Sequence, residues 1–176
     1  MNTLISTPRL SLRNIVPSDL GALVAMNEDE EVMKYFPSIL SQEQTIQFMD
    51  RIFTQYNENG FGLYAVTLIS SDALIGLAGF MMPSFESFFT PCVEIGWRFK
   101  KEFWGQGYAS EASTACLKYA KTLLGLKEIL SFTSIQNKKS EAVMKNIGMK
   151  KQGHFVHPKL DKDHWLSEHV LYSIQL

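Results

Sequence analysis

Five residues after the run VEIGWRF stands Gly105-Gln106-Gly107-Tyr108-Ala109, and it leads directly into an apolar-periodic stretch that reads as a helix. The first amides of a helix have no partner inside it, and the helix dipole adds positive potential there. Glycines at such a start let the main chain close around an anion, and a diphosphate fits the cradle, although two glycines also suit a plain turn. A dinucleotide fingerprint requires a third small residue and a loop directly after the strand, whereas Ser110 holds the third place and Lys100 to Trp104 intervene. A nucleoside-triphosphate loop requires Lys and Ser or Thr where Tyr108 and Ala109 stand.

Upstream, Glu94 alternates with Val93, Ile95 and Trp97, so on a strand it shares a face with Gly96 and Arg98. That places a carboxylate at a cleft, or pairs it with Arg98 or another base. His154, His157, His164 and His169 crowd the last quarter. Residues three apart on a strand point to opposite faces, so exposed or hydrogen-bonded histidines are expected there and no metal. Cys92 and Cys116 are too few for a disulfide framework and are expected as reduced thiols.

These groups need a scaffold, and the pattern supplies one. Arg9 to Ile15 reads as a strand between Pro8 and Pro17, Ser18 to about Asn27 as a helix, and Glu30 to Tyr35 as a short helical piece. Ser41 with Gln44 forms a capping-box pattern, and Ile46, Met49, Ile52, Phe53 and Tyr56 continue at helical spacing to Gly60. Phe61 to Ile69 and Ala73 to Met81 read as a hairpin, Met82 to Pro91 as a loop, and Cys92 to Phe99 as another strand. A helix from Gly107 to Leu124 ends at Gly125. A strand (Glu128 to Ile135), a helix (Lys138 to Ile147) and two strands (Lys150 to His157, Trp165 to Ile174) close the chain. Helices interleaved with strands in this way imply an α/β fold of the α+β kind, a mixed sheet of six or seven strands with helices on both faces.

The chain of 176 residues, 45% hydrophobic, is expected to form one domain over 1–176. With 17 basic and 18 acidic residues its net charge of −1 offers no long-range attraction to nucleic acid or an anionic membrane. No basic stretch followed by an apolar one opens it and no run is long enough for a membrane span, so a cytoplasmic location is expected.

TPRLSLR at Thr7 to Arg13, VMKYFP at Val32 to Pro37, VEIGW at Val93 to Trp97, WGQGYASEA at Trp104 to Ala112 and NKKSEAVMKNIGM at Asn137 to Met149 together make the chain resemble the GNAT superfamily of N-acetyltransferases. Within it the chain is similar to the branch of ribosomal-protein N-terminal (Rim-type) acetyltransferases. The resemblance implies a twisted, mostly antiparallel sheet whose central strands splay, acetyl-coenzyme A as cosubstrate, no metal, and an amine acceptor with a protein N-terminus as one candidate. By the same resemblance the amides of Gly105, Gln106, Gly107, Tyr108 and Ala109 take the coenzyme A diphosphate. The backbone of Trp97, Arg98 and Phe99 pairs with the pantetheine arm, which Asn137 faces from the neighbouring strand's end. Trp104 replaces the Gln or Arg that often begins this loop, as it does in the Rim-like branch.

Attack on a thioester needs a neutral amine and an outlet for the sulfur. The resemblance assigns the base to Glu94, commonly through water, and brings Ser140 near the sulfur; as a Ser near a helix start, Ser140 also suits a cap. The Tyr that many members use as acid is replaced by Met144. Neither Cys is placed for a covalent intermediate, so direct transfer in a ternary complex is expected. A modest base suits an α-amine, whose pKa of about 8 is far below the roughly 10.4 of a lysine. Phe36, Phe80 and Phe85 are candidates for the acceptor side, against ordinary packing. A monomer or homodimer is expected. The rival readings are an acetyltransferase for a small-molecule amine, a non-catalytic acyl-coenzyme A sensor, and a dinucleotide-binding oxidoreductase.

Overall fold

The computed structural model describes residues 2–176. Eight strands form one sheet in the order β1-β2-β3-β4-β5-β6-β8-β7. They are β1 (Ile5–Ser6), β2 (Leu10–Asn14), β3 (Leu63–Leu68), β4 (Leu74–Met81), β5 (Glu94–Phe99), β6 (Glu128–Ser134), β7 (Lys150–Val156) and β8 (Glu168–Gln175). Every neighbouring pair is antiparallel except β5 with β6. The count exceeds the expected six or seven because β1 has only two residues, too short to leave a period in the sequence.

The helices are α1 (Leu20–Glu28), α2 (Glu30–Met33), α3 (Gln42–Asn59), α4 (Tyr108–Tyr119) and α5 (Lys138–Asn146). At α3 both capping-box bonds form: Gln44 N donates to Ser41 Oγ at 3.2 Å and Ser41 N to Gln44 Oε1 at 2.8 Å. Gly60, with a left-handed backbone, ends that helix. Beyond Tyr119 the fourth helix widens into a π-type turn over Ala120–Leu124, which stops at Gly125.

Helices cover both faces. On one, Ala112 and Cys116 of α4, Met144 of α5 and Ile147 just after it pack on Ile95, Phe99 and Ile129 of the sheet. On the other, Phe48, Met49 and Ile52 of α3 and Leu23 and Met26 of α1 pack on Leu63, Ala65 and Leu77. That second face continues across β6 and β8, where Leu130 and Leu171 lie under Phe85 and Phe89 of the β4–β5 loop. Glu94 and Arg98 point to this second face, because Ile95 and Phe99 between and beside them point to the first. Among the described residues no helix is long and apolar enough to cross a membrane.

Candidate active site

The sheet has a seam at its one parallel pair. The register joins only Glu94 to Leu130. Leu130 N donates to Val93 O at 2.9 Å, and Ser131 Oγ to Ile95 O at 2.9 Å, after which the strands part. Strand residues of one parity aim their main-chain groups at the same neighbour. Residues 93 and 95 aim at β6, so Trp97 aims there too and leaves its N–H and C=O facing the gap. Arg98 has the other parity: Lys100 N reaches Ile75 O on the β4 side at 2.9 Å, and the Arg98 backbone belongs to that ladder. The Phe99 carbonyl accepts the Trp104 indole N–H at 2.8 Å. Of the three residues expected to offer main chain to a ligand, Trp97 has both groups free, Phe99 has its N–H, and Arg98 has neither. The side chains of Trp97 and Phe99 pack into the first-face core.

At the open end of the seam lies the glycine loop. Gly105 (φ 74°) and Gly107 (φ 80°) both adopt the left-handed conformation that costs any other residue type, and Gly107 is the N-cap of α4. Glu111 N returns to Gly107 O. The amides of Gly105, Gln106, Gly107, Tyr108, Ala109 and Ser110 donate to no acceptor among the described residues. A cluster of unpaired amides on left-handed glycines at a helix start fits a diphosphate in size and charge.

The loop is held from behind by residues to which the sequence reading assigned no role. Arg9 Nη1 donates to Gln106 O at 3.0 Å and Arg9 Nε to Glu111 Oε2 at 2.6 Å, with the guanidinium 4.3 Å from the Tyr108 ring centre. Thr7 Oγ1 donates to Glu111 Oε1 at 2.6 Å; desolvation raises the Glu111 carboxyl, and the bonds from Thr7 and Arg9 together outweigh it and hold it below its ordinary pKa. The signal was present in the TPRL and SEA runs, but no spacing rule links residues so far apart in the chain.

Glu94 sits at the closed end, half-buried. No cation pairs with it among the described residues, and desolvation alone pushes its carboxyl up to about 8. Arg98 is not its partner: Arg98 Nη1 donates to Asn27 Oδ1, and its guanidinium lies 4.1 Å from the Phe36 ring centre and 5.3 Å from that of Phe48. Asn137 lies three residues beyond the end of β6 and is the cap of α5. Its Oδ1 accepts from Ser140 N at 3.2 Å and its Nδ2 donates to Thr133 Oγ1 at 3.1 Å. Ser140 is therefore not the cap, and its hydroxyl makes no hydrogen bond within the described residues. Lys139 Nζ lies 4.5 Å from the Trp104 ring centre, so the start of α5 and the glycine loop meet across the mouth of the seam.

The aromatic candidates separate. Phe36 borders the second-face cleft against Arg98. Phe85 packs at 5.7 Å from Phe132 and 4.7 Å from His157, in the loop that covers β6 and β8. Phe80 is fully buried against Phe61 and Tyr64, where no acceptor can reach it, because its strand position points into the first-face core. Met144 is likewise fully buried and offers no acid. His154 pairs with Glu168 at 2.8 Å, whereas His157 and His169 lie 4.9 Å apart among phenylalanines; burial pushes the His169 imidazole down to about 4. Cys116 is buried in the core, and burial pushes the Cys92 thiol up to about 11, out of the nucleophilic range.

Residues 9–150 match the family model of the acetyltransferase (GNAT) domain. The chain belongs to the GNAT family. A Bacillus subtilis protein described as the uncharacterized N-acetyltransferase YnaD is 33% identical over 86% of this chain and 85% of its own. A GNAT-family acetyltransferase from Bacillus anthracis has a solved structure that superposes with a TM-score of 0.80, at 30% identity over 97% of both chains. At 19% identity the fold persists in the spermidine N-acetyltransferase of Vibrio cholerae, solved with CoA and spermine, with a TM-score of 0.77 over 96% of both chains. This GNAT protein is thus an acetyl-coenzyme A-dependent acetyltransferase, and the unpaired amides and the open seam are where its fold departs from a closed sheet.

Proposed function

We propose that this GNAT protein is of the Rim-like type and acetylates the α-amine of a protein or peptide N-terminus by direct transfer in a ternary complex. The observation that carries the donor side is the run of unpaired amides from Gly105 to Ser110 beside the free Trp97 main chain. The acyl donor's diphosphate rests on the former and its pantetheine arm on the latter, with Asn137 shaping the opposite wall. Bound there, the thioester supplies the acetyl group; the C–N bond forms as the C–S bond breaks.

Glu94 takes the amine proton, directly or through water, and Ser140 or solvent serves the departing sulfur. The match of base to acceptor supports an α-amine: a carboxyl near 8 and an amine near 8 exchange a proton at little cost, whereas a lysine near 10.4 holds its proton more tightly. Arg98 sets a cation on the same strand face as Glu94, which disfavours a polyamine at that end of the cleft.

The test is thiol release from acetyl-coenzyme A with peptides bearing a free N-terminus, peptides blocked at the N-terminus but carrying a lysine, spermidine and an aminoglycoside. Free N-termini are expected to react fastest. Faster transfer to the blocked peptide, or to spermidine, would overturn the acceptor. Binding of acetyl-coenzyme A without release from any amine would mark a sensor instead.

A further inference from the structure

Three of the four arginines of this chain have their charge accounted for. Arg9 meets Glu111 side-on through Nε and Nη2, Arg13 meets Asp19 end-on at 2.7 and 2.8 Å, and Arg51 is exposed to water. Arg98 is different. It is half-buried and desolvation lowers its pKa to about 10, yet no carboxylate pairs with it among the described residues. Phe36 and Phe48 flank the guanidinium, and Asn27 occupies Nη1. What remains is the edge formed by Nε and Nη2, whose N–H groups run parallel; Nε is buried and has no partner, and Nη2 makes no hydrogen bond within the described residues. Arg9 holds Glu111 through the same edge, there with both nitrogens on the one oxygen Oε2, and the two parallel N–H groups also suit the two oxygens of a carboxylate. A cation taken from water with no countercharge is costly, and a bound anion offsets that cost.

The position of the fork says whose carboxylate it receives. Arg98 lies on the strand face that carries Glu94, opposite the face on which α4 and its glycine loop pack. Gly96 stands between them, and without a side chain it leaves the floor of the cleft low; a Cβ there would already meet Met81 Cε at 3.4 Å. Four strand steps separate Glu94 from Arg98, roughly 13 Å between Cα atoms before the arginine side chain shortens the gap. An extended peptide advances about 3.5 Å per residue, so an amine at Glu94 puts the side chain of its second or third residue within reach of the fork.

Resting on the acyl-transfer reading, we propose that Arg98 is a specificity-determining residue that binds a carboxylate of the acceptor, an acidic side chain at the second or third residue of the acetylated N-terminus. The experiment compares matched peptides carrying Glu or Gln at each of those positions, with wild-type protein at saturating acetyl-coenzyme A. The acidic peptide is expected to have the higher kcat/KM, by roughly tenfold to a hundredfold and mostly through KM, at one of the two positions. Arg98→Lys keeps charge but loses the fork and narrows that ratio; Arg98→Gln brings it near one. In both variants calorimetry finds the affinity for acetyl-coenzyme A within about twofold of wild type, since the donor side is built elsewhere.

Equal kcat/KM for Glu and Gln peptides with the wild-type protein overturns the assignment and leaves acyl transfer standing, with no variant needed. A weakened acetyl-coenzyme A affinity in Arg98→Lys, with an unchanged peptide ratio, overturns it in favour of a donor-side role. If no peptide of either kind releases thiol while acetyl-coenzyme A still binds, the α-amine reading fails and takes this proposal with it.

Discussion

A carboxyl buried without a cation must either stay protonated or bear an unshared charge, and Glu94 resolves this by holding its proton up to about pH 8. Two consequences follow with opposite signs. As a base it works only when ionised, so kcat/KM for an N-terminal peptide is expected to rise with pH through about 8, and Glu94→Gln to lower the rate and remove that ionisation from the profile. A profile that keeps the same shape in the variant excludes Glu94 as the base. For stability, the folded value lies above the ordinary 4.5, so the folded state binds more proton between about 4.5 and about 8. The stability Glu94 contributes is full at the acid end of that window and is lost as pH rises through it. Glu94→Gln should therefore melt close to wild type near pH 5 and above it at pH 8.5. The difference there is on the order of a few kcal/mol. Melting curves at the two pH values decide this, and a constant offset between variant and wild type would mean that Glu94 ionises freely. The place of Glu94 on the cleft face was legible in VEIGW; that it stands unpaired was not, because strand alternation put Arg98 on the same face without saying that Asn27 and two phenylalanines hold it away.

The element that makes the cradle is a turn with two left-handed glycines leading into α4, and each glycine can be tested apart from its neighbours. A Cβ at Gly105 would meet nothing within 4 Å, so Gly105→Ala carries a purely conformational cost, about 1–2 kcal/mol. For a chain of this size that lowers Tm by roughly 2–8 °C. Acetyl-coenzyme A affinity should fall with it as the amides turn away. A variant that melts normally and binds the donor normally would show that the turn does not need this conformation. Glu111 acts through Arg9, which holds the Gln106 carbonyl, so Glu111→Ala is expected to weaken acetyl-coenzyme A binding by roughly tenfold in calorimetry without touching the ligand. Elements of this kind divide cleanly in how well a sequence announces them. The capping box at Ser41 and Gln44 and the stop at Gly125 are local, and both stand in the fold as the pattern implies. The Arg9–Glu111 clamp spans 102 residues and the two-residue strand β1 has no room for a period, so neither leaves a local trace. Phe80 shows the complementary failure, since an apolar residue on a strand says nothing about which face is core until the neighbouring strands are in place.

At the scale of the molecule, two antiparallel half-sheets meet along one parallel pair that is bonded at one end only, by Leu130 N to Val93 O and Ser131 Oγ to Ile95 O. An ordinary sheet would continue that ladder. On the proposed reading the free edge of β5 is instead a template whose missing strand is the ligand, because buried main-chain groups seek partners wherever water is excluded. Backbone parity turns this into a measurement. The Trp97 N–H faces the gap, whereas Gly96 and Arg98 on either side donate toward β4. In the free protein the Trp97 amide should exchange with deuterium faster than its two neighbours. Acetyl-coenzyme A should slow Trp97 and the amides of Gly105 to Ser110 together, leaving Gly96 and Arg98 nearly unchanged. Residue-resolved exchange with acetyl-coenzyme A, and with pantetheine alone, separates the two halves of the donor: pantetheine should protect Trp97 and leave the glycine loop exchanging freely. Protection of Arg98 in place of Trp97 would show that the strand presents its other parity to the ligand. Equal protection of all three before ligand is added would show that the seam is closed, and with it the donor site as described.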